Sequence, residues 1–162
     1  MPTKWGMGMI PEKFIEFAHG PSIMFVGSRN AKLRPTMTFA FGALVDGGEA
    51  TVTVFIPEIE GAKTFENLAE NGRTSLVLVD AASHESYQFK GQHRETRPCT
   101  DADYTVQEIY LSKLIAHLEP FGYGEDLWNG FVHRPARAVT FAVEDIFVQS
   151  PGPGAGEKIE LS

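Results

Sequence analysis

The clearest pair of side chains placed to do chemistry is Lys63 with Thr64. They follow a β-patterned run and sit near the start of a helical pattern. A helix start offers unpaired N–H groups and the positive end of its dipole, and a lysine adds a full charge beside them. A threonine hydroxyl can donate to a phosphate oxygen. Together they form a candidate phosphate site; the alternative is a solvated lysine in an ordinary first turn. Glu58 and Glu60 stand just upstream, and like charges beside a bound dianion are unfavourable.

Other reactive residue types are scattered. His19, His84, His93, His117 and His133 form no H-x-x-H or H-E-x-x-H pair, so no metal site is expected. Cys99 is the one cysteine, which rules out an intramolecular disulfide and a multi-cysteine zinc site. A single thiol suits a reducing cytoplasm. His93, Arg94 and Arg97 stand near it and could lower its pKa, but no partner thiol or nucleophile motif accompanies it. Ser22, Ser28 and Ser75 lie in no G-x-S-x-G elbow, which argues against an α/β-hydrolase. The tail PGPGAG resembles a phosphate loop, yet too few residues follow to build the helix such a loop needs.

The formal charge of -7 disfavours nucleic acid, whose binding needs basic surface to replace counterions. No apolar run approaches the ~20 residues that span a bilayer. The N-terminal stretch MPTKWGMGMIPEKF has no apolar core of the kind a secretory leader needs. Twelve phenylalanines suggest an aromatic-rich core or a stacking surface.

These residues must be positioned by short elements. Pro11–His19 reads as an amphipathic helix with an apolar stripe of Phe14, Ile15, Phe17 and Ala18, stopped by Gly20. Ser22–Val26 is an apolar strand run. Thr36–Val45 and Thr51–Ile56 read as a hairpin across Asp46-Gly47-Gly48-Glu49, whose glycines can supply positive φ. Val52, Val54 and Ile56 share one face of the second of these strands. Gly61–Glu70 is helical with Asn71-Gly72 as its stop, Thr74–Val79 is a buried strand, and Tyr87–Arg94 alternates. Asp101–Leu118 is the longest helix, with Ile109, Leu111, Leu114, Ile115 and Leu118 as its apolar face. Ala138–Val148 returns to strand, and the Gly/Pro-rich end reads as extended or disordered. The expected architecture is α+β and β-dominated, a barrel of about six mostly antiparallel strands with peripheral helices. It would form one domain over residues 1–150 with a tail over 151–162.

Pro35, the Asp46-Gly47-Gly48 turn, the strand Val52–Ile56, then Lys63, Asn67-Leu68, Asn71 and Arg73 make an ordered series. The series resembles the FMN-binding split barrel of the pyridoxamine 5'-phosphate oxidase-like family, over roughly residues 11–95. The resemblance implies a split β-barrel holding FMN. The strand after the proline, here Thr38, Phe39, Ala40 and Phe41, would lie along the flavin ring. Lys63 and Thr64 would hold its phosphate, and Gln92 on a later strand would approach the ring or ribityl chain. Trp128-Asn129-Gly130-Phe131 with Pro135 and Phe141 resembles a W-x-G-F…P…F stretch of the oxidase proper; hydrophobic packing explains it equally well. The oxidase's substrate-binding Arg-Leu-His-Asp-Arg end is absent here, where the tail reads PGPGAGEKIELS. The chain is therefore not expected to oxidise pyridoxamine phosphate.

The resemblance thus implies an FMN-dependent oxidoreductase that works on a small-molecule substrate. It also implies a homodimer with the flavin between subunits, so that Gln92 and Trp128 could face the Lys63 of the partner. The rival is a non-enzymatic protein on the same fold. It would hold a flavin, a deazaflavin or haem, or would have lost its cofactor. One branch of the family holds haem through a histidine, which would make His93 or His133 the ligand; a surface or hydrogen-bonded role is the default for both.

Overall fold

The computed structural model describes residues 8–162. Residues 1–7, part of the stretch read above as lacking a leader, lie outside the described residues. The chain runs α1 (Glu12–His19), β1 (Ile23–Arg29), β2 (Pro35–Ala40), β3 (Ala43–Asp46), β4 (Thr51–Pro57), α2 (Glu58–Asn71), β5 (Arg73–Val79), β6 (Ser86–Pro98) and α3 (Asp101–Leu118). A 3-10 turn (Glu119–Phe121), α4 (Glu125–Trp128), β7 (Ala136–Val148) and β8 (Lys158–Ile159) complete it. The strands form one antiparallel sheet in the order β2-β1-β5-β6-β7-β4-β3, with β8 added beside β7. The architecture is β-dominated α+β, as the strand pattern implied, with eight strands where about six were expected.

The expected strand Thr36–Val45 is two strands, and the break shapes the barrel. Gly42 has φ +105, a conformation that L side chains avoid. Within two residues the chain steps from β2 at one end of the sheet to β3 at the other. Phe41 N donates to Phe55 O at 2.9 Å and Phe55 N to Gly42 O at 3.4 Å. The sheet curls until its ends meet at this corner, although its ladder does not close.

Inside the curl the alternation of each strand sets the core. Met24 and Val26, Val52, Val54 and Ile56, Leu76 and Leu78, Phe89, Phe141 and Ile146 are all fully buried. Phe14 of α1 plugs one end, edge-on to Tyr87 at 4.9 Å. At the β3–β4 turn the positive φ falls on Ala50, at 52°, and not on the glycines. Gly47 serves close approach instead: a Cβ there would stand 2.7 Å from Ile15 Cδ1 of α1.

Two helix readings need correction. α2 begins at Glu58, behind Pro57, so Lys63 and Thr64 lie in its second turn. Only the first four N–H groups of a helix lack intrahelical partners, so the anion-binding argument for a first turn does not reach them. On α3 the buried residues are Asp103, Gln107, Tyr110, Leu114 and Leu118, while Ile109 is 52% exposed. Its contact line follows i, i+4, i+7 from Asp103, a polar start made possible by local bonding. Asp103 completes a capping box with Thr100 and takes both Arg97 guanidinium nitrogens, at 2.5 and 3.2 Å. The tail is also more ordered than expected. Gly156 N donates to Val148 O at 2.7 Å, and Lys158–Ile159 then pairs with β7.

His19 ends α1 and ties it to β3: its Nε2 accepts the Val45 N–H at 3.1 Å. That bond requires a neutral ring. Burial pushes the His19 pKa below its ordinary value, the Lys113 ammonium adds to this, and Glu12 opposes it. With a depressed folded pKa, the unfolded chain binds more protons just below the ordinary value of about 6.5, so stability falls as pH drops through that range. The urea midpoint should therefore decline between about pH 7.5 and 5.5, and less steeply in His19→Gln. Parallel declines in the two proteins would show that this bond does not couple to protonation.

Candidate functional site

The inner face of each strand is spent on the core, so a site must be built on the outer face or at the barrel ends. On the outer face of β1, β2, β5, β6 and β7 lies a groove of about 740 Å³, within the roughly 300–1,000 Å³ typical of small-molecule sites. Strand pairing explains its shape. Gly27 on β1 stands opposite Ser75 on β5, and Ser75 opposite Lys90 on β6. Two adjacent outward positions thus carry almost no side chain, and a Cβ at Gly27 would stand 2.7 Å from Ser75 Oγ. The result is a shallow flat floor. Phe25, Met37 and Val77 wall it, and Arg29, Arg73 and Lys90 bring three cations to it.

Two carboxylates, Glu144 and Asp145, also reach the rim. Glu144 Oε2 is 3.0 Å from Arg73 Nη1, and Asp145 Oδ1 is 2.6 Å from Lys158 Nζ. Among the described residues Arg29 and Lys90 have no carboxylate partner; Lys90 Nζ rests 4.9 Å from the centre of the Phe147 ring. In an acidic chain this groove collects positive charge and small hydroxyls on a flat base. It is suited to a planar ligand with an anionic end.

The candidate cofactor residues read from the sequence fall in three places, none lining this groove, although Pro35 and Arg73 of the ordered series do line it. Thr38, Phe39, Ala40 and Phe41 lie just beyond its β2 wall. Thr38, Ala40 and Phe41 are buried, while Phe39 is part exposed. Phe39 stands 5.0 Å from the groove residue Phe25 and 5.7 Å from Phe131. Phe131 in turn meets Phe41 at 6.0 Å and Trp128 at 5.5 Å. Trp128 therefore joins Phe39 and Phe41 within one chain, and its Nε1 is buried without an acceptor among the described residues.

Lys63 and Thr64 are separate from this. Lys63 is solvated and paired with Glu66 at 2.7 Å, which with its hydrogen bond raises the lysine's pKa. Thr64 is fully buried and its Oγ1 has no partner among the described residues. Glu58 turns away to Arg137 at 3.1 Å. The motif residues Asn67 and Asn71 fasten α2 to β1: Asn67 Nδ2 donates to Ser28 Oγ at 3.0 Å and Asn71 Nδ2 to Arg29 O at 2.7 Å. Gln92 lies at the far end of α2. Its Nε2 donates to Asn71 O at 3.2 Å and packs over Gly72, whose φ of +70 ends the helix.

At Cys99 burial prevails over the basic neighbours. Burial pushes its thiol up to about 11, with Asp103 adding to the effect. The nearby Arg97 pulls the other way, but its ion-pair partner Asp103 opposes it and burial outweighs it. His93 bonds Thr96 at 2.7 Å, and His133 lies against Phe41. No cluster of three His, Cys, Asp or Glu residues that could hold a metal occurs among the described residues. No helix among them is long and apolar enough to cross a membrane.

The groove residues Gly27, Ser75, Lys90 and Glu144 were missed because they are distant in sequence. The available signal was a glycine and a serine interrupting two otherwise β-forming runs at positions that turn out to be neighbours.

No family model and no curated protein matches this chain. Solved structures do. An F420 reductase superposes with a TM-score of 0.56 at 12% identity, covering 85% of this chain and 98% of that one. A putative pyridoxamine 5'-phosphate oxidase from Lactobacillus delbrueckii gives 0.55 at 14%, covering 88% and 97%. An FMN-binding protein from Syntrophomonas wolfei gives 0.52 at 12%, covering 88% and 90%. At these identities the likeness is one of fold, and the fold of this chain is the pyridoxamine 5'-phosphate oxidase-like split barrel.

Proposed function

We propose that the outer groove holds a planar cofactor of flavin type, FMN in the first instance, and that the protein is an oxidoreductase built on it. The observation that carries this reading is the flat Gly27–Ser75 floor with cations at its rim. The ring would lie on that floor between Phe25 and Met37. The anionic end would meet Arg29, Arg73 or Lys90, and the Ser75 hydroxyl is free to hydrogen-bond a ring or chain oxygen. When bound, such a cofactor supplies the hydride or electron chemistry, and the protein supplies orientation and electrostatics. Phe39 and Trp128, reached through Phe25, would form the apolar side that a substrate meets. Two similar folds, the F420 reductase and the S. wolfei FMN-binding protein, support a flavin-type ligand. Met37 and Phe39 are 66% and 37% exposed on this face, which supports a second copy pairing over it to enclose the ligand.

A binding protein without turnover is the second reading. It is favoured by the groove's own chemistry: both of its carboxylates are engaged in ion pairs, and among the described residues no histidine lines it.

The test is the purified protein titrated with FMN. Binding should appear as quenched flavin fluorescence and a band near ~450 nm that belongs to the cofactor. Gly27→Leu should weaken binding at least about a hundredfold, because its side chain would occupy the floor. The fold should hold, since the one close contact of the new Cβ, 2.7 Å to Ser75 Oγ, is relieved by rotating that hydroxyl, and the melting temperature is the control. Full FMN affinity in the folded variant would place the ligand elsewhere, and no flavin binding by the parent protein would end the flavin reading. Light scattering at micromolar concentration checks the pairing, with a monomer mass as the contrary result.

A further inference from the structure

We propose that Glu144 is a built-in competitor for the anionic end of the groove's ligand, and so sets which charge state of that ligand the groove prefers. The inference rests on the flavin reading above. It begins with the β6–β7 ladder, where Lys90 pairs with Asp145 and Gly91 with Val143. Glu144 is left over, the extra residue of a β-bulge. A bulge locally bends its strand and re-aims a side chain, and bulges gather beside functional sites. Here the re-aimed carboxylate spans β6 from β7 and meets Arg73 on β5 at 3.0 Å.

Its neighbours do not share this role. Val143 is fully buried, and Asp145 is turned to Lys158 at 2.6 Å. Of the three cations that line the groove, Arg73 alone already carries a carboxylate among the described residues. The pair is open to water, with side chains 54% and 45% exposed. An ion pair so exposed is weak and easily exchanged. A ligand dianion arriving at Arg73 must displace Glu144 and then tolerate it nearby, whereas an uncharged ligand of the same shape does neither. Glu144 thus lowers the advantage that the cations would otherwise give a phosphorylated ligand.

The experiment uses FMN and riboflavin, which share a ring and differ in the phosphate. Each is titrated by fluorescence into the full chain as wild type, Glu144→Gln and Arg73→Gln, with melting temperatures as the folding control. Glu144→Gln should tighten FMN by about two- to fivefold and leave riboflavin unchanged. Arg73→Gln should weaken FMN by about tenfold or more and leave riboflavin unchanged. Unchanged or weakened FMN binding in Glu144→Gln, or an equal shift for both flavins, would overturn the competitor role while leaving the flavin site standing. Failure of both flavins to bind wild type would overturn the two together.

Discussion

Gly91→Ala is expected to unfold the protein at markedly lower urea concentration than the parent. Gly91 faces the bulge on β7, and the backbone closes tightly there. A Cβ at this position would lie 1.9 Å from Ala142 O and 2.9 Å from Phe141 Cδ2. The first contact is with a carbonyl in the middle of a paired strand, so no rotamer change relieves it. Either β6 or β7 must shift, and between them they pair with β5, β4 and β8. Overpacking a well-filled core costs about 1–3 kcal/mol where side chains can adjust; with the nearest obstacle a backbone carbonyl we expect at least about 3 kcal/mol. That is a large part of the roughly 5–15 kcal/mol that holds a domain together. Urea unfolding followed by circular dichroism measures it, and an unmoved midpoint would mean that the sheet relaxes around the methyl group.

Asp103→Ala should cost about 2–4 kcal/mol, because one carboxylate serves two structures. Oδ2 accepts from Thr100 N at 2.7 Å, which caps the first turn of α3, and from Thr100 Oγ1 at 3.0 Å. The same carboxylate receives Arg97 from β6. Its side chain is only 7% exposed, against 38% for Arg97, so the loss lies below that of a fully buried pair. The Arg97 guanidinium foremost, then the Thr100 bonds, hold the Asp103 carboxyl below the usual carboxylate range, against its partial burial. A depressed folded pKa gives stability that is full above about pH 4 and lost as pH falls through the folded value. The gap in urea midpoint between parent and variant should accordingly be wide at neutral pH and narrow in acid. A gap independent of pH would assign the loss to packing and not to charge.

Much of the fold was legible because its signals are local. The period of Val52, Val54 and Ile56 needs only the neighbouring residues to declare a half-buried strand, and all three are fully buried. The bounds of α3 match the residues read for it, since Asp101 and Leu118 mark a change in local composition. The Asn71-Gly72 stop also matches: only a residue comfortable at φ +70 ends α2 there. The antiparallel, β-dominated architecture followed from strands joined by short turns, which favour antiparallel neighbours, while the split barrel came from the family resemblance carried by Pro35, Lys63, Asn67 and Arg73.

What the tertiary structure decided is which of these residues meet. Lys63 and Thr64 are adjacent in sequence, yet one is solvated and the other buried, because packing of α2 on β1 and β2 chooses the inward face. Composition permits Thr36–Val45 to run as one strand; the need to join the sheet's two ends breaks it at Gly42. Gly27, Ser75 and Glu144 become one groove only through the pairing of four strands and a one-residue bulge. Register is a long-range property set by how whole strands bury their faces. A short sequence window carries the periodicity of each strand and not its alignment with the next, so it described the barrel's parts and left the site to the folded chain.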